Sequence, residues 1–70
     1  MKSQNEIILE HIKKYGSITA WDAFERYDIM RLASRVSELR KSGVDIYTDI
    51  KTTKKGKRYA SYRFTKEAEQ

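Results

Sequence analysis

At Val44 the spacing of apolar residues changes period, and that change limits the fold more than any other feature of the chain. Upstream, apolar residues recur every three or four positions, as on one face of a helix; downstream they alternate with polar ones, as on one face of a strand. The chain therefore reads as helices followed by a hairpin, an α+β arrangement. Seventy residues suffice for one core, because a chain of this length buries only ~60% of the surface that its unfolded form exposes. One domain over residues 1–70 is expected, with its core between about residues 4 and 65 and a polar, frayed tail from 66 to 70.

Within the helical part, Ser3 and Glu6 have the spacing of a capping box, and Ile8, Leu9, Ile12 and Tyr15 follow at helical intervals. A first helix is predicted from about Gln4 to Tyr15, closed by Gly16 in a left-handed conformation. Ser17 and Ile18 form a short extended link. Thr19 and Asp22 repeat the cap signal and open a second helix of about two turns, with Ala20, Ala23, Phe24 and Tyr27 as its inward stripe. Asp28 is in position to cap a third helix, with Ile29, Leu32, Ala33, Val36 and Leu39 on one side and Ser42-Gly43 at its end. The interval between the second and third helices has room for a tight turn and nothing more, which is the helix-turn-helix arrangement.

The hairpin has a register that can be deduced. Both apolar sets share a face if Ile46 opposes Phe64, Thr48 opposes Tyr62 and Ile50 opposes Ala60. That pairing leaves Lys54-Lys55-Gly56 as a three-residue loop with glycine at the third position, where such loops need a positive φ. Pattern and turn chemistry agree.

Charge is distributed as unevenly as hydropathy. Residues 1–49 hold eight bases and eight acids, so the net charge of +5 lies wholly downstream. There Lys51, Lys54, Lys55, Lys57, Arg58, Arg63 and Lys66 face only Glu67 and Glu69, and no acid falls between Lys51 and Lys66. Such a segment suits a polyanionic partner. Lys54, Lys55, Lys57 and Arg58 around Gly56 fit phosphate contact with release of counterions; the competing use is an edge kept soluble by lysines. Tyr47 and Tyr59 fall on the outer face of the hairpin, to stack on a sugar or to pack under Arg63 and Lys51.

Projection of the third helix at about 100° per residue puts Arg31, Ser34, Glu38 and Lys41 opposite the core stripe, with Met30 and Arg35 on the flanks. Arginine suits the paired acceptors of guanine, serine reaches bases or phosphates, and glutamate accepts from the cytosine amino group. Arg31, Ser34, Arg35 and Glu38 are the candidates for base contact, and Lys41 joins the hairpin cations as a backbone contact. An ordinary solvated face is the alternative.

Other chemistries find little support. The sequence has no cysteine and one histidine, so neither a structural zinc nor a disulfide is expected, and no cofactor either. His11 lacks partners for a catalytic set and reads as a helix-surface or core-edge residue. No apolar run approaches the ~18 residues of a membrane span, and the N-terminus lacks signal-peptide features, so a cytoplasmic, membrane-free protein is expected. Trp21 lies off the inward stripe, where it covers the core edge or meets a partner.

The run I-x-R-L-A-S-R-V-x-E-L-R-K-x-G from Ile29 to Gly43 resembles a family of small winged helix-turn-helix proteins common in bacteriophages and prophages, and the likeness extends over about residues 7–64. The resemblance implies a winged helix, with three helices and a C-terminal hairpin as the wing. It also implies binding of double-stranded DNA through the third helix and the wing, which maps onto Arg31, Ser34, Arg35 and the Lys54–Arg58 cluster. Transcriptional control in a bacterial host cell is the implied role, and no catalytic residue is implied. One departure is Tyr27, where the wider pattern often has a turn glycine. Two other uses of such a scaffold remain open: a recombination directionality factor, and a phage-encoded protein-protein inhibitor of a host enzyme. One small module offers a limited interface, so a homodimer or cooperative copies on adjacent sites are expected to supply specificity.

Overall fold

The computed structural model describes residues 2–65 in the order α1 (Gln4–Tyr15), β1 (Ile18–Thr19), α2 (Ala20–Tyr27), α3 (Leu32–Lys41), β2 (Ile46–Thr52) and β3 (Arg58–Phe64). The expected tail at residues 66–70 lies outside the described residues. The strands form one antiparallel sheet in the order β1-β3-β2, so the three helices and the three-stranded sheet make the α+β winged helix.

α1 has the predicted bounds. The Ser3 hydroxyl accepts from the Glu6 backbone N–H at 3.2 Å, and Gly16, at φ 92°, donates to the Ile12 carbonyl at 2.7 Å. A left-handed residue at this position satisfies a carbonyl that the helix would otherwise leave unpaired. Ile8 and Ile12 are buried, whereas Tyr15 stays half-exposed at the helix end.

At α2 the capping box is complete: the Thr19 hydroxyl accepts from Asp22 N and the Asp22 carboxylate accepts from Thr19 N, both at 3.1 Å. The inward stripe is narrower than predicted. Ala23 is buried and Tyr27 partly so, but Ala20 is exposed and Phe24 remains 46% exposed. With eight residues, α2 turns one side toward β1 and α3 and meets α1 at its end, where Tyr27 reaches His11 and Arg26 lies over the Tyr15 ring, which leaves Ala20 and Phe24 largely in solvent.

Asp28 closes α2 instead of opening α3. It takes the left-handed conformation at φ 57°, donates to Phe24 O at 3.0 Å, and is followed by an Ile29 N–H bond to Ala23 O at 3.0 Å. This is the glycine-type helix stop, accommodated by a short polar side chain that tolerates αL. It also explains why Tyr27 needs no glycine: the positive φ falls one residue later. α3 then starts at Leu32, with Arg31 as an N-cap that makes no side-chain cap hydrogen bond. Leu32, Val36 and Leu39 form its buried stripe with Ile29 just ahead of it, while Ala33, expected inside, is exposed.

The hairpin register is the deduced one, with Ile46↔Phe64, Thr48↔Tyr62 and Ile50↔Ala60. The tip closes where Thr53 N donates to Lys57 O at 2.8 Å and Gly56 N donates to Thr53 O at 2.9 Å, with Gly56 at φ 85°. β1 adds itself to the other side of β3 through Ile18↔Tyr62 and Thr19↔Ser61. The core gathers Ile8, Ile12, Ile18, Ala23, Ile29, Leu32, Val36, Leu39 and Ile46, so five of the six elements contribute a buried apolar residue, and β3 packs the partly buried Tyr62 and Phe64 against them. Ile50 shares the face of Ile46 but is 58% exposed, because the hairpin runs past the helices before it turns.

Candidate nucleic-acid interface

The sheet positions the site through a length mismatch. β1 pairs with Ser61 and Tyr62 alone, so β3 from Arg58 to Ala60 has no strand beside it on that edge. The space left over becomes a groove of about 1000 Å³ between the helix-turn-helix and the hairpin. Arg31 and Ser34 stand on one wall; Lys57 and Arg58 stand on the other. Residues that sequence reasoning assigned separately to a reading helix and to a backbone anchor thus face one another. Asp22 is the one acid on this lining, and its carboxylate is already engaged by Thr19 N.

The other predicted residues are distributed differently. Lys54 and Lys55 are exposed at the hairpin tip, and Lys41 is exposed at the far end of α3, away from the groove. Arg35 and Glu38 are tied to each other, Nη2 to Oε2 at 3.1 Å, and the other Glu38 oxygen accepts from Asn5 Nδ2 at 3.3 Å. That chain links α3 to the start of α1. Arg35 is half-buried, and of the four candidates for base contact Arg31 and Ser34 are the ones presented without a side-chain ion pair or hydrogen bond among the described residues.

Arg40 has a role that the sequence did not disclose. Its Nε donates to Ile46 O at 2.8 Å and its Nη2 donates to Thr48 Oγ1 at 2.9 Å, clamping the end of α3 to the base of the hairpin. In the sequence Arg40 reads as one more cation of a neutral segment; the local signal for the clamp is the tight Ser42–Gly43 turn, which brings Arg40 back alongside the start of β2. Two apolar side chains lie further out than a core-edge position would put them. Met30 is 80% exposed and Trp21 68% exposed, so Trp21 does not cover the core edge; its ring lies 6.5 Å from that of Phe24.

His11 is buried and structural in its contacts. Its Nδ1 is hydrogen-bonded with the Tyr27 hydroxyl at 2.7 Å, and its ring lies 4.6 Å from that of Tyr15. Burial holds its pKa below the ordinary value of 6.5; Asp22 opposes the shift and Arg26 adds to it. Among the described residues, no three His, Cys, Asp or Glu side chains gather where they could hold a metal ion, and no helix is long and apolar enough to cross a membrane.

Comparison with curated proteins and with solved structures finds no match for this chain. A family model does match, over residues 3–67, which takes in all six elements. With the helix-turn-helix, the hairpin and the match in agreement, the chain belongs to the winged helix-turn-helix domain family.

Proposed function

We propose that this protein binds double-stranded DNA in a sequence-specific manner, with α3 in the major groove and the basic wing on the adjacent backbone or minor groove. The observation that carries the reading is the facing of Arg31 and Ser34 by Lys57 and Arg58 across one groove. A phosphodiester strand that separates a major from a minor groove has the charge and width to run between two such walls, with its neighbouring bases within reach of α3. Lys54 and Lys55 extend the cationic wall to the hairpin tip, and Lys41 offers a further phosphate contact at the other end of α3. Arg35 and Glu38 join the base contacts by exchanging their mutual ion pair for DNA groups.

The role we propose is non-enzymatic transcriptional regulation in the cytoplasm of a bacterial host, by a phage or prophage regulator. Directional control of recombination would use the same contacts. Two copies on half-sites one helical turn, about 34–36 Å, apart would supply the specificity that one small module lacks. Exposed Trp21 and Met30 favour a second reading, in which the scaffold meets a host protein.

Selection of a preferred duplex from a random pool, followed by titration of Arg31→Ala, tests the first reading. The variant is expected to lose about 1–3 kcal/mol on the preferred site and much less on random DNA, and Arg35→Ala to lose less than Arg31→Ala. Equal losses on both DNAs would reduce Arg31 to a phosphate contact. No enriched sequence would favour the protein partner.

A further inference from the structure

The groove between the helix-turn-helix and the wing has an apolar, aromatic lining that phosphate contact does not use. Trp21 and Tyr59 are 68% and 42% exposed, Met30 is 80% exposed, and all three line it together with Arg31, Lys57 and Arg58. Large apolar side chains held in water are costly unless something covers them. The occupant is constrained by charge: three cations against Asp22, whose carboxylate is spent on the α2 cap, call for an anion. It is constrained by shape as well, since flat rings interleaved with cations match a chain that alternates planar faces with phosphates. A base within a duplex cannot present its face to Trp21, because both of its faces are stacked. An unpaired one can.

We propose that this groove binds single-stranded DNA, with unpaired bases stacked on Trp21 and Tyr59 and their phosphates on Arg31, Lys57 and Arg58. The inference rests on the nucleic-acid reading above but not on the entry of α3 into a major groove. It gives the protein a second mode of binding, suited to a melted, flapped or single-stranded segment beside a duplex. About 1000 Å³ lies at the upper end of the ~300–1,000 Å³ range of small-ligand sites, so the groove takes a short stretch of nucleotides instead of one base.

Trp21 is the sole tryptophan, so its emission reports on the site directly. The full chain is titrated with oligothymidylate of about eight nucleotides, a length within the usual single-strand site sizes, and in parallel with a blunt duplex. Oligothymidylate is expected to quench Trp21. Trp21→Ala is expected to weaken oligothymidylate binding by about 5- to 150-fold, the equivalent of one stacked base, with blunt-duplex affinity unchanged and most single-strand affinity restored in Trp21→Phe. The exposed position of Trp21 keeps both variants folded, which a thermal melt checks. Absence of quenching, or an oligothymidylate affinity indifferent to Trp21→Ala, overturns the proposal. So does a Glu-rich peptide with a central leucine that displaces the oligonucleotide and binds more tightly, which would assign the groove to a protein. Duplex binding without oligothymidylate binding leaves the α3 reading standing and this one refuted; the reverse refutes major-groove entry and leaves the groove assigned.

Discussion

Replacing Arg40 by methionine separates an arginine that holds the fold from the arginines proposed to hold DNA. Met keeps much of the aliphatic stem and removes the donors to Ile46 O and Thr48 Oγ1, at 2.8 and 2.9 Å. Hydrogen bonds from a charged donor are worth about 1.5–3 kcal/mol each when well buried. The residue as a whole is exposed, and of the two bonds the one to Ile46 O is the more buried, so water replaces part of what is lost. A net loss of about 1.5 kcal/mol is expected, which for a domain of this size lowers Tm by about 6–12 °C. Thr48→Val removes one bond and keeps the other, so its melt should fall between those of the wild type and Arg40→Met. Calorimetry or circular-dichroism melts give the stability, and duplex titration well below the lowered Tm gives the affinity. Affinity should hold to within the loss of one distant charge. An unchanged Tm would mean that the clamp contributes nothing. A loss of affinity as large as that of Arg31→Ala, in a folded variant, would mean that Arg40 leaves its carbonyl for DNA, and the division of arginines made here would be wrong.

Two further outcomes concern the fold. Gly56→Ala should cost about 1–2 kcal/mol in a melt from backbone strain alone, because Gly56 sits at φ 85° while a Cβ there would meet nothing within 4 Å; Gly56→Asn, which tolerates αL, should cost less, and an unperturbed Ala variant would refute the loop conformation. His11 has its folded pKa depressed by burial below the unfolded value of 6.5, so the unfolded state binds the proton more readily. Its contribution is complete above about pH 6.5 and is lost as the pH falls through the folded pKa, with a slope of at most about 1.4 kcal/mol per pH unit. His11→Gln should flatten that limb of the stability curve, and a wild type equally stable at pH 7 and pH 5 would contradict the assignment.

Much of the fold was legible because neighbouring signals reinforced one another. The Thr19–Asp22 box, the Gly16 stop and the Ile46–Phe64 register each rest on residues close in sequence, or on two patterns that must coincide. What was misread depends on distant packing. Phe24 and Ala20 have helical spacing with Ala23, but nothing local says how little of a short helix the rest of the protein covers. Asp28 carries equally good signals for starting a helix and for stopping one, and the Ile29 bond to Ala23 O decides for the stop. Arg31, Ser34 and the wing cations were identifiable as a set by charge and projection. Their meeting across a groove follows from a β1 of two residues, which no pattern in β1 itself announces.

The central claim is that the cations on the wing, with Lys41 at the end of α3, engage DNA phosphates while the start of α3 reads bases, and the salt dependence of duplex binding tests it most directly. Lys41, Lys54, Lys55, Lys57 and Arg58 are all exposed. If each neutralises one phosphate, the log-log slope of affinity against salt is near about −4.5, a loss of about two to three decades between 50 and 200 mM. Changing Lys54, Lys55, Lys57 and Arg58 together to Gln removes exposed side chains and should leave the melt intact, while the slope falls toward about −1 on specific and random duplex alike. A folded quadruple variant that keeps both its affinity and its slope would take the wing out of the interface and contradict the account.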